Sequence, residues 1–142
     1  MLRPYLIATS VIAGAATLAA CATTMEPRQR SPQAAAELAR YLDGKTPGKA
    51  ETCLPSYRSQ DMIVVDENTI LYRDGSNRYW RNDLQGNCNG LGRPGTFLLT
   101  KQFGNTGTCR GEIARIVDSG SGATVGLCSF GDFVPYTGPR RP

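Results

Sequence analysis

Five cysteines in a chain of 142 residues, one directly behind an apolar leader and four spread through the rest, constrain this protein more than any other feature. Met1 to Tyr5 carries one charge, Arg3, and Leu6 to Ala20 is an uncharged, Ala-rich run ending in Leu18-Ala19-Ala20-Cys21. A helix of about 15 residues spans about 23 Å, short of a hydrocarbon core of about 30 Å. The run therefore reads as a secretory signal peptide over residues 1–20 and not as a transmembrane helix. The tetrad has the form of a bacterial lipobox, in which small residues let a peptidase approach the backbone and Cys21 receives a diacylglycerol. Ala22 stands where an Asp would argue for inner-membrane retention, so the expected location is the outer membrane, lipid-anchored and facing the periplasm. Two or three acyl chains, palmitate among them, anchor stably because each buried methylene contributes about 0.8 kcal/mol.

With Cys21 committed to lipid, Cys53, Cys88, Cys109 and Cys128 remain, an even number in an exported chain. Two disulfides are the natural reading, and three pairings satisfy it. A nested arrangement, Cys53 with Cys128 and Cys88 with Cys109, would tie the first and last strands and close a Gly-rich excursion between them. Bridges over loops of this size contribute about 3 to 4.5 kcal/mol in the chain-entropy picture. A four-cysteine zinc site is the alternative, but gaps of 35, 21 and 19 residues leave no Cys-x-x-Cys knuckle, so no metal is expected.

Residues 21–31 are polar and form a tether. Ser31-Pro32 has the form of an N-cap followed by proline at the first helical position. Ala35, Leu38, Ala39 and Leu42 then give one apolar stripe, and Gly44 is placed to end a short amphipathic helix within residues 32–44. Its weak, Ala-rich face favours docking on the domain over lying on a membrane. Lys45 to Lys49 reads as a linker. Residues 51–136 change to short β runs punctuated by turns: Asp61 to Val65, Thr69 to Arg73, Arg78 to Leu84, Thr96 to Phe103, Glu112 to Asp118 and Ala123 to Phe130. The expected fold is mainly β, a small antiparallel meander of about six strands curled into a barrel-like, disulfide-stapled domain. Residues 137–142 are left as a tail.

Histidine is absent, which removes Ser-His-Asp and Cys-His machinery and every His-ligated metal site. Sixteen basic against twelve acidic residues is too small an excess for a nucleic-acid footprint. Gly90-Leu91-Gly92-Arg93-Pro94-Gly95 matches a dinucleotide fingerprint by letter, but Pro94 interrupts it and β-prone residues follow where a helix is required. It reads as a loop. Asp66-Glu67-Asn68 and Asp74 lack the spacing of a calcium loop and read as turn residues. The densest aromatic and arginine cluster is Leu71-Tyr72-Arg73 with Arg78-Tyr79-Trp80-Arg81. One face of such a hairpin must be core. The other has the composition of an interface, which makes Tyr79, Trp80 and Arg81 the candidate partner-binding residues.

The stretch from Cys53 through Ile63-Val64-Val65-Asp66-Glu67-Asn68-Thr69-Ile70-Leu71, Tyr79-Trp80-Arg81-Asn82-Asp83-Leu84, Cys88-Asn89-Gly90-Leu91 and Cys109-Arg110-Gly111-Glu112-Ile113 to Cys128 resembles a proteobacterial family. Its members are small exported proteins, often lipoproteins, built on a cysteine-containing domain of unknown function. The resemblance covers about Cys53 to Pro135 and departs at Glu112, where an Asp would follow the glycine. It implies fold and compartment and brings no activity, so no catalytic residue is carried over. The expectation is a non-enzymatic periplasmic binding or accessory module without cofactor, contacting an envelope protein or glycan. A small envelope inhibitor, similar to lysozyme-inhibitor lipoproteins, is the alternative. A basic chain facing basic lysozyme would be repelled, which ranks it second.

Overall fold

A computed structural model describes residues 29–59, 61–101 and 107–139. The leader, Cys21 and most of the tether lie outside the described residues, as do Gln102 and Phe103 at the end of the expected fourth strand. Helix α1, Pro32–Leu42, starts where Ser31 accepts a hydrogen bond from the Ala34 N–H at 3.2 Å and stops at Asp43 ahead of Gly44. Among the described residues it precedes eleven strands: β1 (Thr46–Pro47), β2 (Cys53–Leu54), β3 (Asp61–Asp66), β4 (Thr69–Asp74), β5 (Arg78–Asp83), β6 (Gln85–Asn87), β7 (Thr96–Thr100), β8 (Thr108–Cys109), β9 (Ile113–Asp118), β10 (Thr124–Ser129) and β11 (Phe133–Thr137).

All six expected strands are present, as β3, β4, β5, β7, β9 and β10, but their neighbours differ from a simple meander. One sheet runs β1-β11-β5-β4-β3, a second runs β6-β10-β9-β7, and β2 pairs with β8 alone. The chain passes from β5 to β6 through Leu84 and returns from β10 to β11 through Phe130-Gly131-Asp132. Since β5 pairs with β11 and β6 with β10, β5–β6 and β10–β11 are the two sides of one long antiparallel ribbon that bends from one sheet into the other. The third expected strand therefore lies beside the continuation of the last one, and β7 lies at the edge of the second sheet. β1 falls within the expected linker, where Thr46 and Pro47 oppose Thr137 and Tyr136. Pro135 is tolerated inside β11 because it serves as an acceptor, taking the Gly48 N–H at 2.7 Å.

The bend is held by Asn82, which is fully buried. Its amide donates to the Gly131 carbonyl at 2.9 Å and the Asp132 carbonyl at 3.3 Å, and its oxygen accepts the Gly131 N–H at 3.1 Å. A Cβ at position 131 would run into the Asp83 carbonyl, so only glycine fits this corner.

Two apolar clusters make three layers. Ile70 and Tyr72 of β4, Trp80 of β5 and Phe133 of β11 face Ala114 and Ile116 of β9 and Cys128 of β10 between the sheets. On the other side of the first sheet, Ala34 and Leu38 of α1 pack with Leu71 and Val65, flanked by Ile63, Tyr41, Leu42 and Tyr79. The helix docks on the domain, but through Ala34, Leu38, Tyr41 and Leu42; Ala35 and Ala39 of the expected stripe are exposed, because the sheet meets the helix on a face turned toward Ala34 and Tyr41. An 11-residue helix is marginal alone, so this packing is what holds it. The end of the expected tether docks too: Arg30 pairs with Asp66 at 2.6 Å and donates to Thr69.

Both disulfides form, with a different pairing from the nested one. Cys53 bonds Cys109 and Cys88 bonds Cys128, with Cα separations of 4.0 and 5.2 Å. The reason is strand register. Cys53 lies opposite Cys109 in the β2–β8 pair, whereas β6 runs beside β10 and delivers Cys88 to Cys128. The last strand, β11, needs no bridge because β1 and β5 flank it by hydrogen bonding.

Candidate functional site

The surface first expected to bind a partner is largely taken up inside the fold. Trp80 is 2% exposed and belongs to the core; its Nε1 donates to Asp74 at 3.2 Å, and Arg58 stacks over its ring at 5.5 Å. Trp80 is thereby withdrawn as a contact residue. Tyr79 faces α1, with the Tyr41 ring at 5.6 Å and Lys45 and Arg73 against it. Arg81 is half-buried and makes a two-pronged pair with Asp83 at 2.9 and 3.1 Å. Burial opposes its charge, but the Asp83 carboxylate and the Tyr136 hydroxyl together outweigh burial and raise the guanidinium pKa. The alternation along β5 separates these side chains as the sequence implies. The face opposite Trp80, however, is covered by a helix rather than left open. The Gly90–Gly95 segment is a loop, pinned where Glu67 accepts from the Gly90 N–H at 3.2 Å and from Arg93 at 3.1 Å.

The exposed apolar surface lies on the second sheet. Leu98, Ala114, Ile116 and Cys128 point into the core, so their neighbours along each strand point out. Phe97, Leu99, Ile113 and Leu127 are 47, 41, 54 and 53% exposed. Cross-strand pairing aligns them: Phe97 opposite Val117, then a row of Leu99, Arg115, Leu127 and Asn87, then Ile113, Ser129 and Gln85. Residues directly opposite share a face, so Arg115 stands in the middle of an apolar surface with a leucine on each side. No acidic residue occupies any of these outward positions. Among the described residues Arg115 has no ion-pair partner, and its stem lies where it can cover its leucine neighbours while the guanidinium stays in water.

A cavity of about 700 Å³ adjoins this face, bordered by Leu99, Ile113, Arg115, Lys101, Arg110 and Glu112. That volume is ordinary for a small-molecule pocket. Three cations and one carboxylate line it. Arg110 also reaches Asp132 at 3.1 and 3.3 Å, across the β8–β9 turn. Glu112 Oε2 is buried and lacks a hydrogen-bond partner among the described residues. The arrangement can hold an anion beside apolar groups. No group of His, Cys, Asp and Glu suited to a metal ion is found among the described residues.

Sequence reasoning missed this face although a signal for it is present. Phe97-Leu98-Leu99 is apolar on consecutive positions, and Ile113, Ile116 and Val117 fill both faces of β9. Strands apolar on both sides belong in a sheet covered on both sides. Among the described residues only one side is covered here. Comparison with protein-family models, curated proteins and solved structures finds no match to this chain.

Proposed function

We propose that this chain is an outer-membrane lipoprotein, anchored through Cys21 and facing the periplasm, whose disulfide-stapled domain is a non-enzymatic binding module. The observation that carries the binding role is the set of four half-exposed apolar side chains around Arg115 on one sheet face. Monomeric proteins rarely leave a contiguous apolar surface open without a use for it. The leader, the Leu18-Ala19-Ala20-Cys21 tetrad and two disulfides support an exported, lipid-anchored chain. The resemblance to small exported proteins agrees with that compartment.

The test is crosslinking in intact cells, comparing the native chain with Cys21→Ala and with Leu127→Glu. The native chain should fractionate with the outer membrane and carry acyl mass on Cys21, and crosslinks should fall on Phe97, Leu99 or Leu127. Leu127→Glu should remove those crosslinks while leaving the acyl mass in place. Turnover of an envelope substrate by the purified chain would overturn the non-enzymatic reading. A captured lysozyme, together with protection of cells against it, would turn the reading to the inhibitor class.

A further inference from the structure

The outward face of the second sheet combines large apolar side chains with cations and no carboxylate among its strand positions, and that combination selects its occupant. We infer that this face binds an anionic phospholipid surface, with Leu99, Ile113 and Leu127 entering the interfacial region and Arg115, Lys101 and Arg110 meeting phosphate groups. The inference rests on the reading of the chain as a lipoprotein and names the partner of that same site.

Three observations carry it. Arg115 is opposite Leu99 on one side and Leu127 on the other, so any occupant that covers the leucines must also meet a guanidinium. A second copy of this chain, stacked face to face about a twofold axis through the central row, would bring Arg115 against its own counterpart inside an apolar contact. That leaves two like charges desolvated without a partner. A phosphate supplies the missing charge, and guanidinium and phosphate match in geometry. The adjoining cavity adds the second element of recognition. Its wall carries Lys101 and Arg110, which add positive charge beside Arg115. A phosphoglycerol headgroup carries a net negative charge. A phosphocholine headgroup carries none.

Reach permits the contact. Arg30 is fixed at the first sheet, and eight residues lie between it and the anchoring Cys21, nine steps of chain that extend to about 30 Å. The far face of the second sheet lies about 20 Å from the helix layer by ordinary layer spacings. A domain on such a tether can therefore lay that face on the membrane that holds its own lipid. The tether makes the encounter intramolecular, so a weak surface contact is populated.

The experiment uses the full acylated chain in vesicles, with a photoreactive benzophenone amino acid placed singly at Leu127, at Phe97 or at the well-exposed Tyr57 beside the first sheet. Vesicles contain either phosphatidylglycerol in phosphatidylcholine or phosphatidylcholine alone. Lipid adducts should form at positions 127 and 97 with phosphatidylglycerol present, and not at 57. Arg115→Gln removes one cation near an anionic surface and should lower adduct yield about fivefold. Equal yields in the two vesicle types, equal yields at 57 and 127, or no adduct at 127 and 97 would each overturn the assignment. So would a protein adduct at 127 in intact cells in place of a lipid one, which points the face at a protein. Acyl mass on Cys21 is measured in the same sample. Its absence would sink the anchoring alone, and unacylated chain added to the same vesicles then judges the face by itself.

Discussion

Asn82 allows the sharpest test of how this fold holds together, because one side chain joins the two sheets at their shared bend. Its amide satisfies two carbonyls and its oxygen satisfies the Gly131 N–H, and both Asn82 and Gly131 are buried. In Asn82→Ala the N–H and carbonyl of Gly131 lose these partners where water does not reach, at about 1–3 kcal/mol each. Asp132 is exposed and can turn its carbonyl to water. The expected loss is about 3–4 kcal/mol, a large part of the stability of a domain this size. Asn82→Asp keeps the shape and separates charge from volume. Its second oxygen faces two carbonyls, so the buried carboxyl prefers its protonated form and its folded pKa lies above the ordinary value of about 3.9. A folded pKa raised above the unfolded one means stability is retained below about pH 4 and is lost as pH rises toward the folded pKa, at about 1.4 kcal/mol per pH unit. Urea unfolding of the oxidised proteins at pH 4 and pH 7 measures both effects. Asn82→Asp should be close to native at pH 4 and well below it at pH 7. A cost under about 1 kcal/mol for Asn82→Ala, or an Asn82→Asp deficit equal at the two pH values, would refute the corner clamp.

Further outcomes follow from the packing. Non-reducing digestion should link Cys53 to Cys109 and Cys88 to Cys128. Mild reductant followed by alkylation should open Cys53–Cys109 first, because Cys53 is exposed whereas Cys88 and Cys128 are buried in the core. Removing Cys88 and Cys128 together, which opens a link over 40 residues, should cost about 4 kcal/mol by loop entropy. Burial pushes the Tyr72 phenol well above its ordinary value, so the folded state keeps the proton that the unfolded chain releases near pH 10. Stability should therefore fall by about 1.4 kcal/mol per pH unit above pH 10, and Tyr72→Phe should abolish that slope in an alkaline titration of unfolding. Trp80→Ala should cost about 3–5 kcal/mol through its cavity, whereas Leu127→Ser should stay within about 0.5 kcal/mol of native in thermal unfolding.

The fold was legible in the sequence wherever local chemistry decides it. Ser31-Pro32 and Gly44 bracket α1, and Asp66-Glu67-Asn68 and Asp74-Gly75-Ser76-Asn77 mark the hairpins that keep β3, β4 and β5 adjacent. What was not legible depends on distant pairing. β11 was hidden by Pro135, and β1, β2, β6 and β8 are only two or three residues long, so neither periodicity nor propensity reveals them. These short strands set the disulfide partners: Cys53 meets Cys109 only because β2 lies beside β8. Trp80 was misplaced for a related reason. Alternation along β5 shows that Trp80 and Tyr79 oppose each other across the sheet, but not which side will meet the second sheet and which the helix.

The two sheets face the same burial problem from opposite sides of one core. Each has an inner face packed on the other and an outer face that is still apolar. On the first sheet, Ile63, Leu71 and Tyr79 are covered by Ala34, Leu38, Tyr41 and Leu42 of α1, a helix too short to stand alone. That cover is also fastened, since Arg30, directly before the N-cap, is paired with Asp66 and lies 3.9 Å from Asp83. On the second sheet, Phe97, Leu99, Ile113 and Leu127 have no such helix among the described residues, and an arginine replaces the apolar residue that a self-covering face would carry in its central row. Arg115 makes the surface poor at meeting its own kind and good at meeting an anion. A charge there works against stacking with copies of itself, a use that edge and face designs share. An Arg115→Leu variant should therefore associate in solution more strongly than the native chain. Its sedimentation velocity would separate an apolar face restrained by one charge from a face that is inert.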